Sequence, residues 1–275
     1  MKKILTELLI IFLLILVSQN ASAFKVGGLQ NPESVIVDPA TGVYYISGHT
    51  QTTGFIWKVD ATGKRAIFLE GGKNGIVLNA PKGLAISGDQ LYVADGKSIY
   101  RFNKTTGASL GIIDLLGIAG NSLQDLVFGN EGQLFVSDGP RNAIYKIDTR
   151  NAFNVSILAR SPNLGFPTGI AFDMPRNRLI VLSRHRILSV SMEGGITSLV
   201  NGKFKSLYGV DWDRQGNLLV SDRGAGKVYR IRNFSFQEIV RQNILDPAGI
   251  SFDYAHNQML ISSGKGRLVF SLPLK

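Results

Sequence analysis

A segment of about 40–45 residues recurs six times along the chain, and this repeat limits the possible folds more than any other feature of the sequence. Each copy opens on a proline or leucine, followed two residues later by a small or polar residue and then by a short apolar run. Those third residues are separated by 49, 42, 44, 40 and 40 positions, and they are Ser34, Gly83, Asp125, Gly169, Gly209 and Gly249.

Each copy contains several short runs that read as strands rather than helices. Aliphatic residues alternate with aromatic or basic ones, as in residues 144–147 and 228–231, and β-branched residues are frequent. Fourth strands are predicted at 65–69, 109–115, 154–159, 195–200 and 236–241. Four strands in a repeat of this length are typical of one propeller blade, so the sequence predicts an all-β, six-bladed β-propeller.

The two chain ends are predicted to complete one blade together. The last copy stops 26 residues after Gly249, at its third strand, and residues 24–30 stand where a fourth strand should precede the first opening. Pairing these segments would close the ring and cover an exposed sheet edge. Residues 24–275 are therefore predicted to form a single domain.

The first 23 residues have the pattern of a secretory signal peptide. Lys2 and Lys3 precede a continuous apolar run at 8–17, and residues 21–23 form a small-x-small cleavage site. Ten apolar residues are fewer than the roughly 20 that span a bilayer. We therefore expect cleavage before Phe24, a periplasmic or secreted protein, and no stable membrane span afterwards.

The charge balance and the absence of cysteine narrow the functional classes. The chain has 30 Lys and Arg against 20 Asp and Glu, and the basic residues are dispersed. Because an exported protein does not meet nucleic acid, the expected partners are a small anionic molecule or a protein of the cell envelope. Zero cysteines exclude disulfides, thiolate zinc sites and cysteine nucleophiles.

Candidate functional residues lie where each innermost strand begins, because loops from all blades converge there. The residue before each small residue forms a predicted ring of Glu33, Lys82, Gln124, Thr168, Tyr208 and Ala248, with Asp125 beside it. Glu33 and Lys82 belong to consecutive blades, so we predict that they form an ion pair. A purely structural alternative is a polar plug that orders the channel.

Three segments resemble the SMP-30/gluconolactonase family of six-bladed propellers, in particular its bacterial exported branch. They are residues 31–35 (Asn-Pro-Glu-Ser-Val) followed by Asp38, residues 78–84 (Leu-Asn-Ala-Pro-Lys-Gly-Leu), and Val220-Ser221-Asp222 followed by residues 226–230. The resemblance covers essentially all of residues 24–275.

The resemblance implies a divalent cation, calcium or zinc, that polarises a lactone carbonyl while a nearby acid activates water. By position, Glu33 would be a metal ligand or base and Gln124 the amide on the substrate side. Thr168 and Tyr208 replace the family's ligand Asn and Asp. Since one carboxylate remains among the three ligand positions, we expect the metal site to be weakened or absent. Asp125 is the candidate for a second catalytic carboxylate.

Two functional classes remain open at this point. One is a lactonase-like hydrolase, supported by Glu33 and Gln124. The other is a non-catalytic binding propeller of the cell envelope, favoured by Thr168 and Tyr208, with Lys82 among the residues that contact the ligand. Three histidines at no metal-ligand spacing are expected in loops or turns, and three aspartates that recur by blade position are expected to cap turns rather than to catalyse. These residues are His49, His185, His256 and Asp95, Asp138, Asp222.

Overall fold

The computed structural model describes residues 24–115 and 117–274, which form 24 strands in six antiparallel sheets of four. The strands are, in the order of the blades, β2 (Pro32–Val37), β3 (Tyr44–His49), β4 (Gly54–Val59), β5 (Arg65–Glu70); β6 (Leu84–Ser87), β7 (Gln90–Asp95), β8 (Ser98–Asn103), β9 (Ser109–Asp114); β10 (Leu123–Phe128), β11 (Gln133–Asp138), β12 (Ala143–Asp148), β13 (Asn154–Arg160); β14 (Ile170–Asp173), β15 (Arg178–Leu182), β16 (Arg186–Ser191), β17 (Ile196–Asn201); β18 (Leu207–Trp212), β19 (Leu218–Asp222), β20 (Lys227–Arg232), β21 (Phe236–Gln242); β22 (Pro247–Asp253), β23 (Gln258–Ser263), β24 (Leu268–Pro273) and β1 (Lys25–Gly27). Short 3-10 turns occupy Asn130–Gly132, Pro162–Leu164 and Met174–Arg176. The predicted signal peptide, residues 1–23, lies outside the described residues.

The predicted six-bladed β-propeller is confirmed. Five sheets run in chain order from an innermost to an outermost strand, and in the sixth β1 follows β24. All neighbouring strands pair antiparallel, as in the β11–β12 register Gln133↔Asp148 to Asp138↔Ala143. The five predicted fourth strands are β5, β9, β13, β17 and β21, with ends that differ from the predictions by at most one residue.

The ring closes as predicted, through the two ends of the chain. β1 pairs with β24 in the register Lys25↔Phe270 to Gly27↔Leu268. The amide of Leu29 also donates to the carbonyl oxygen of Arg267 at 3.0 Å. The first strand of the chain is therefore the outermost strand of the sixth blade.

Six apolar clusters hold the blades together, and each lies between two neighbouring blades. The cluster between blades 6 and 1 contains Leu29 and Val35 packed with Leu260 and Val269, all at most 2 % exposed. Since every sheet buries both faces in this way, the alternating strands of the sequence form one continuous ring of core.

The recurring small residue of each opening is explained by close packing of the innermost strands. A Cβ atom on Gly169 would lie 2.3 Å from the carbonyl oxygen of Tyr208, and one on Gly83 would lie 2.5 Å from the Cα of Asp125. Neither distance leaves room for a side chain, so glycine is required there by the approach of neighbouring backbones.

Serines on three second strands tie alternate blades to the next one. Ser47, Ser137 and Ser221 donate to the carbonyl oxygens of Lys82, Thr168 and Ala248 at 2.5–2.6 Å. The same hydroxyls accept the backbone N–H groups of Ser34, Asp125 and Gly209 in their own blades. The ring positions are thus fixed by buried hydrogen bonds as well as by apolar packing.

The recurring aspartates serve the turns, as predicted. Asp95 accepts the amides of Asn79 and Ala80, and Asp222 accepts those of Lys205 and Ser206. Asp138 likewise accepts the amide of Gly120. Each carboxylate therefore secures the connection that leads into its own blade.

The connections lie on two faces of the propeller. We call upper the face with the connections that lead into each first strand and those between second and third strands, and lower the face with the remaining connections. Within the part of the chain that the structure describes, no helix is long and apolar enough to cross a membrane.

Candidate functional site

A polar ring closes the central channel just below the upper face. Five of the six predicted ring residues line one cavity of about 20 Å³, and they are Glu33, Lys82, Gln124, Thr168 and Tyr208. A single water needs roughly 10–15 Å³, so this cavity has space for one or two waters. The sixth position, Ala248, is fully buried and does not line the cavity.

Glu33 lies at the centre of a dense set of hydrogen bonds. The Tyr208 hydroxyl donates to Oε2 at 2.5 Å, and Nη2 of Arg223 donates to the same oxygen at 3.0 Å. Nδ2 of Asn31 donates to Oε1 at 3.2 Å. Both carboxylate oxygens of Glu33 are therefore occupied, and its side chain is only 7 % exposed.

The electrostatic surroundings keep Glu33 ionised. Burial by itself would raise the pKa of Glu33, but His49, Arg223, Tyr208 and the charge of Lys82 together lower that pKa to about 2. Burial and the neighbouring carboxylate raise the pKa of Tyr208, which stays a neutral donor. A carboxylate with such a low pKa is a weak proton acceptor at neutral pH, which disfavours a role as general base.

Arg223 is the functional residue that the sequence interpretation missed. It begins the β19–β20 connection, and its guanidinium carbon lies 4.0 Å from the centroid of the Tyr208 ring. Its Nε lies 3.1 Å from Oδ1 of Asp246, so it bridges two carboxylates. The sequence did contain a signal for Arg223, since the same position of the repeat is glycine in three other blades, Gly96, Gly139 and Gly264.

His49 occupies the same repeat position in blade 1 and also contacts Glu33, so its assignment to a turn is wrong. It ends β3, with Nε2 at 2.9 Å from Asn31 Nδ2 and 3.7 Å from Glu33 Oε1. A hydrogen bond to Glu33 raises the pKa of His49. His185 and His256 do lie in connections between strands, as predicted.

The predicted ion pair between Glu33 and Lys82 does not form. Nζ of Lys82 instead donates to Oγ of Ser122 at 2.8 Å and to Oε1 of Gln124 at 3.2 Å. The physical reason is that Arg223 already occupies Glu33, whereas the next blade offers uncharged acceptors to Lys82. Lys82 acts on Glu33 only through its charge, and burial lowers the pKa of Lys82 itself.

The ring does not have the donor set of a calcium or zinc site. The Oγ1 of Thr168 lies 3.1 Å from the carbonyl oxygen of Leu207, its hydrogen-bond acceptor, and the carboxylate of Glu33 faces a guanidinium. Among residues 24–115 and 117–274, no three His, Cys, Asp or Glu side chains are grouped so that they could hold a metal ion. Hard cations need several oxygen ligands, so these residues do not fit the cation that the family resemblance implies.

Asp125 lines the same cavity as Glu33, but its carboxylate is bonded to backbone amides and not to Glu33. Its Oδ1 accepts the amide of Leu126 at 2.9 Å, and its Oδ2 accepts the amide of Ile170 in the next blade at 3.1 Å. Burial and the nearby charge of Asp211 raise the pKa of Asp125 to about 7. Its electrostatic partner is thus an aspartate lower in the channel.

The connections of the upper face are predominantly basic. Its connections contain one acidic residue, Asp246, and ten basic ones, Lys73, Lys82, Lys97, Arg141, Arg184, Lys203, Lys205, Arg223, Lys265 and Arg267. The connections between strands on the lower face contain six acidic and five basic residues. The formal charge of the connections is therefore biased to the upper face.

Solved structures with this fold include proteins of several activities. The chain superposes on a gluconolactonase from Xanthomonas campestris with a TM-score of 0.74 at 15 % identity, covering 93 % of this chain and 90 % of that one. For the calcium-binding protein regucalcin from Agrobacterium tumefaciens the TM-score is 0.69 at 14 % identity, covering 89 % of this chain and 90 % of that one. For virginiamycin B lyase from Staphylococcus aureus the TM-score is 0.66 at 16 % identity, covering 92 % of this chain and 99 % of that one.

These comparisons define the class of fold. The chain has the six-bladed propeller fold of gluconolactonase and regucalcin, which confirms the resemblance at the level of architecture. No protein-family model matches the sequence, and no curated protein matches it. Because one fold hosts many activities, function has to be argued from the residues of the site.

Proposed function

We propose that this protein is a non-catalytic binding propeller that holds an anionic partner on its upper face. The observation that carries the proposal is the charge bias of ten basic residues against one acidic residue in the upper connections. A surface of one sign attracts ligands of the opposite sign and speeds their association. Lys97, Lys205 and Lys265 are exposed there and are available to a partner.

The ring supports binding rather than hydrolysis. A cavity of about 20 Å³ is too small for a sugar lactone, and Glu33 is held by Arg223 and Tyr208 instead of a metal ion. The ring therefore closes the channel beneath the upper face. No catalytic step is assigned to it.

The partner we favour is a component of the cell envelope that carries phosphate or carboxylate groups. The leader pattern at residues 1–23 motivates a periplasmic or secreted location, where such groups are abundant. Dispersed lysines suit a charged surface better than one small ligand, since each contributes separately to the attraction.

Vesicle binding tests the proposal. The protein starting at Phe24 is expected to sediment with phosphatidylglycerol vesicles at low salt and to remain free with phosphatidylcholine vesicles. Each Lys near an anionic bilayer contributes about 1 kcal/mol, so the triple variant Lys97→Gln, Lys205→Gln, Lys265→Gln should bind roughly 100-fold more weakly.

A lower-face triple variant of equal charge, Lys64→Gln, Arg150→Gln, Arg214→Gln, is the matched control and should bind almost normally. Equal losses in both variants would show that net charge, not this face, determines binding. Stoichiometric bound calcium or zinc, with lactone hydrolysis abolished by Glu33→Gln, would establish the hydrolase instead.

A further inference from the structure

A second, larger cavity lies below the ring and opens toward the lower face. Its volume is about 260 Å³, and it extends along the innermost strands of the blades. Most of its lining residues have apolar side chains, including Phe128, Phe172 and Trp212. The wall also contains two carboxyl groups, Asp125 and Asp211, and no Lys, Arg or His.

The two carboxyl groups are departures from the repeat. The position of Asp125 is glycine in four of the other blades and serine in the fifth. The position of Asp211 is Ile36, Ala85, Val127, Ala171 or Ser251 elsewhere. The other blades pack in the same ring without an acid at either position, so packing does not explain their presence.

Each carboxyl group keeps acceptor capacity, and both residues line the cavity. Asp125 accepts one backbone amide on each oxygen, and Asp211 accepts the amides of Trp212 at 2.8 Å and Phe252 at 2.7 Å and a side-chain hydrogen bond from Ser251. A carboxylate can accept about four hydrogen bonds, so further acceptor sites remain on both. Within the described residues, neither group forms an ion pair with a basic side chain.

Burying such charges without a counter-ion is unfavourable. Burial raises the pKa of Asp125 to about 7 and that of Asp211 to about 6, and Asp211 adds to the shift of Asp125. Burial raises the pKa values of Tyr208 and Tyr254, which interact electrostatically with Asp125 and Asp211, respectively, and both phenols stay neutral. When the two carboxyl groups are ionised, no basic side chain of the described residues pairs with either charge.

We infer that the lower cavity binds a small organic cation, with a primary ammonium group between Asp125 and Asp211 and an apolar body against the aromatic wall. Charge complementarity selects the ammonium, which can donate to the free acceptor sites of both carboxylates. Aromatic side chains attract the same cation and exclude water from its apolar part. An apolar cavity of about 150 Å³ already accommodates benzene, so about 260 Å³ suits an alkylammonium of hexyl size.

This site is independent of the proposed upper-face function and has the opposite charge preference. Trp212 lines the cavity, whereas Trp57 is 4 % exposed in the cluster between blades 6 and 1. Titration with n-hexylammonium chloride is therefore expected to change the fluorescence of Trp212, and Trp212→Phe should remove that change. Hexan-1-ol and hexanoate, which have the same chain without the positive charge, should bind at least 10-fold more weakly.

Two substitutions taken from the other blades provide the decisive variants. Asp125→Gly and Asp211→Ala should each weaken n-hexylammonium binding at least 10-fold, while both variants keep a cooperative thermal unfolding transition. Affinity in the unchanged protein should rise between pH 5 and pH 8 as both carboxyl groups ionise. Equal affinity for the alcohol, unchanged affinity in both variants, or displacement of hexylammonium by calcium at equal concentration would overturn the inference.

Discussion

The pair formed by Arg223 and Glu33 gives the sharpest test of how the ring is held. Replacing Arg223 with Met would leave a carboxylate that is 7 % exposed without its only direct guanidinium partner. Breaking a fully buried pair costs about 3–5 kcal/mol. Because the Arg223 side chain is 24 % exposed and Tyr208 still donates to Glu33, we expect a smaller loss of about 1.5–3 kcal/mol.

A double-mutant cycle isolates the contact from other effects of the substitution. Urea unfolding at pH 7 would be measured for Arg223→Met, Glu33→Gln and the double variant, and a coupling of about 1–2 kcal/mol is expected. The same cycle with Lys82→Met is the control, since Lys82 acts on Glu33 only through its charge; its coupling should stay below about 0.5 kcal/mol. Additive effects for Arg223, or equal couplings for both cations, would refute the assigned geometry.

Three further predictions concern single buried groups. Ser137→Ala should lower the free energy of unfolding by about 1–3 kcal/mol, because it leaves the Thr168 carbonyl without its donor. Ser262→Ala is the control and should be nearly neutral, because the Ser262 hydroxyl has no hydrogen-bond partner among the described residues. Urea titrations measure both free energies. The double variant Asp125→Gly, Asp211→Ala should change the free energy of unfolding by about 2–4 kcal/mol more favourably at pH 8 than at pH 5. The reason is that the raised pKa values of Asp125 and Asp211 make their ionisation at pH 8 unfavourable in the folded state. The pKa of Glu33 is lowered from 4.5 to about 2, so its contribution to stability is complete above pH 4.5 and lost as pH falls toward 2. In thermal melts over that range Glu33→Gln should flatten the pH dependence, and an unchanged slope would show that other groups cause it.

The repeat made the architecture predictable. Because each copy has the same strand and turn pattern, the positions of β5, β13 and β21 follow from spacing alone, as does the pairing of β1 with β24. The turn function of Asp95, Asp138 and Asp222 followed from their recurrence. Periodic signals of this kind depend on local sequence, which the chain displays directly.

The contacts inside the ring were less predictable, because they depend on residues distant in sequence. Arg223 meets Glu33 across 190 residues, and no local pattern marks that pair. The repeat spacing predicts that Glu33 lies beside Lys82, but Glu33 binds Arg223 and Lys82 binds Ser122, because these partners lie within hydrogen-bond distance. In the same way, the carboxylate of Asp125 binds the backbone amide of Ile170, a contact that the spacing does not predict.

Closure by β1 and β24 also constrains the order in which the protein can become stable. β1 has no sheet to join until β24 has been made, and the hydrogen bond from Phe24 to Ser271 spans 247 residues. Contacts of such sequence separation form slowly, because a long loop must be closed before they are gained. We therefore expect the sixth blade to stay open in the nascent chain until β24 has been made, and moving residues 24–31 to a position after Lys275 should speed folding.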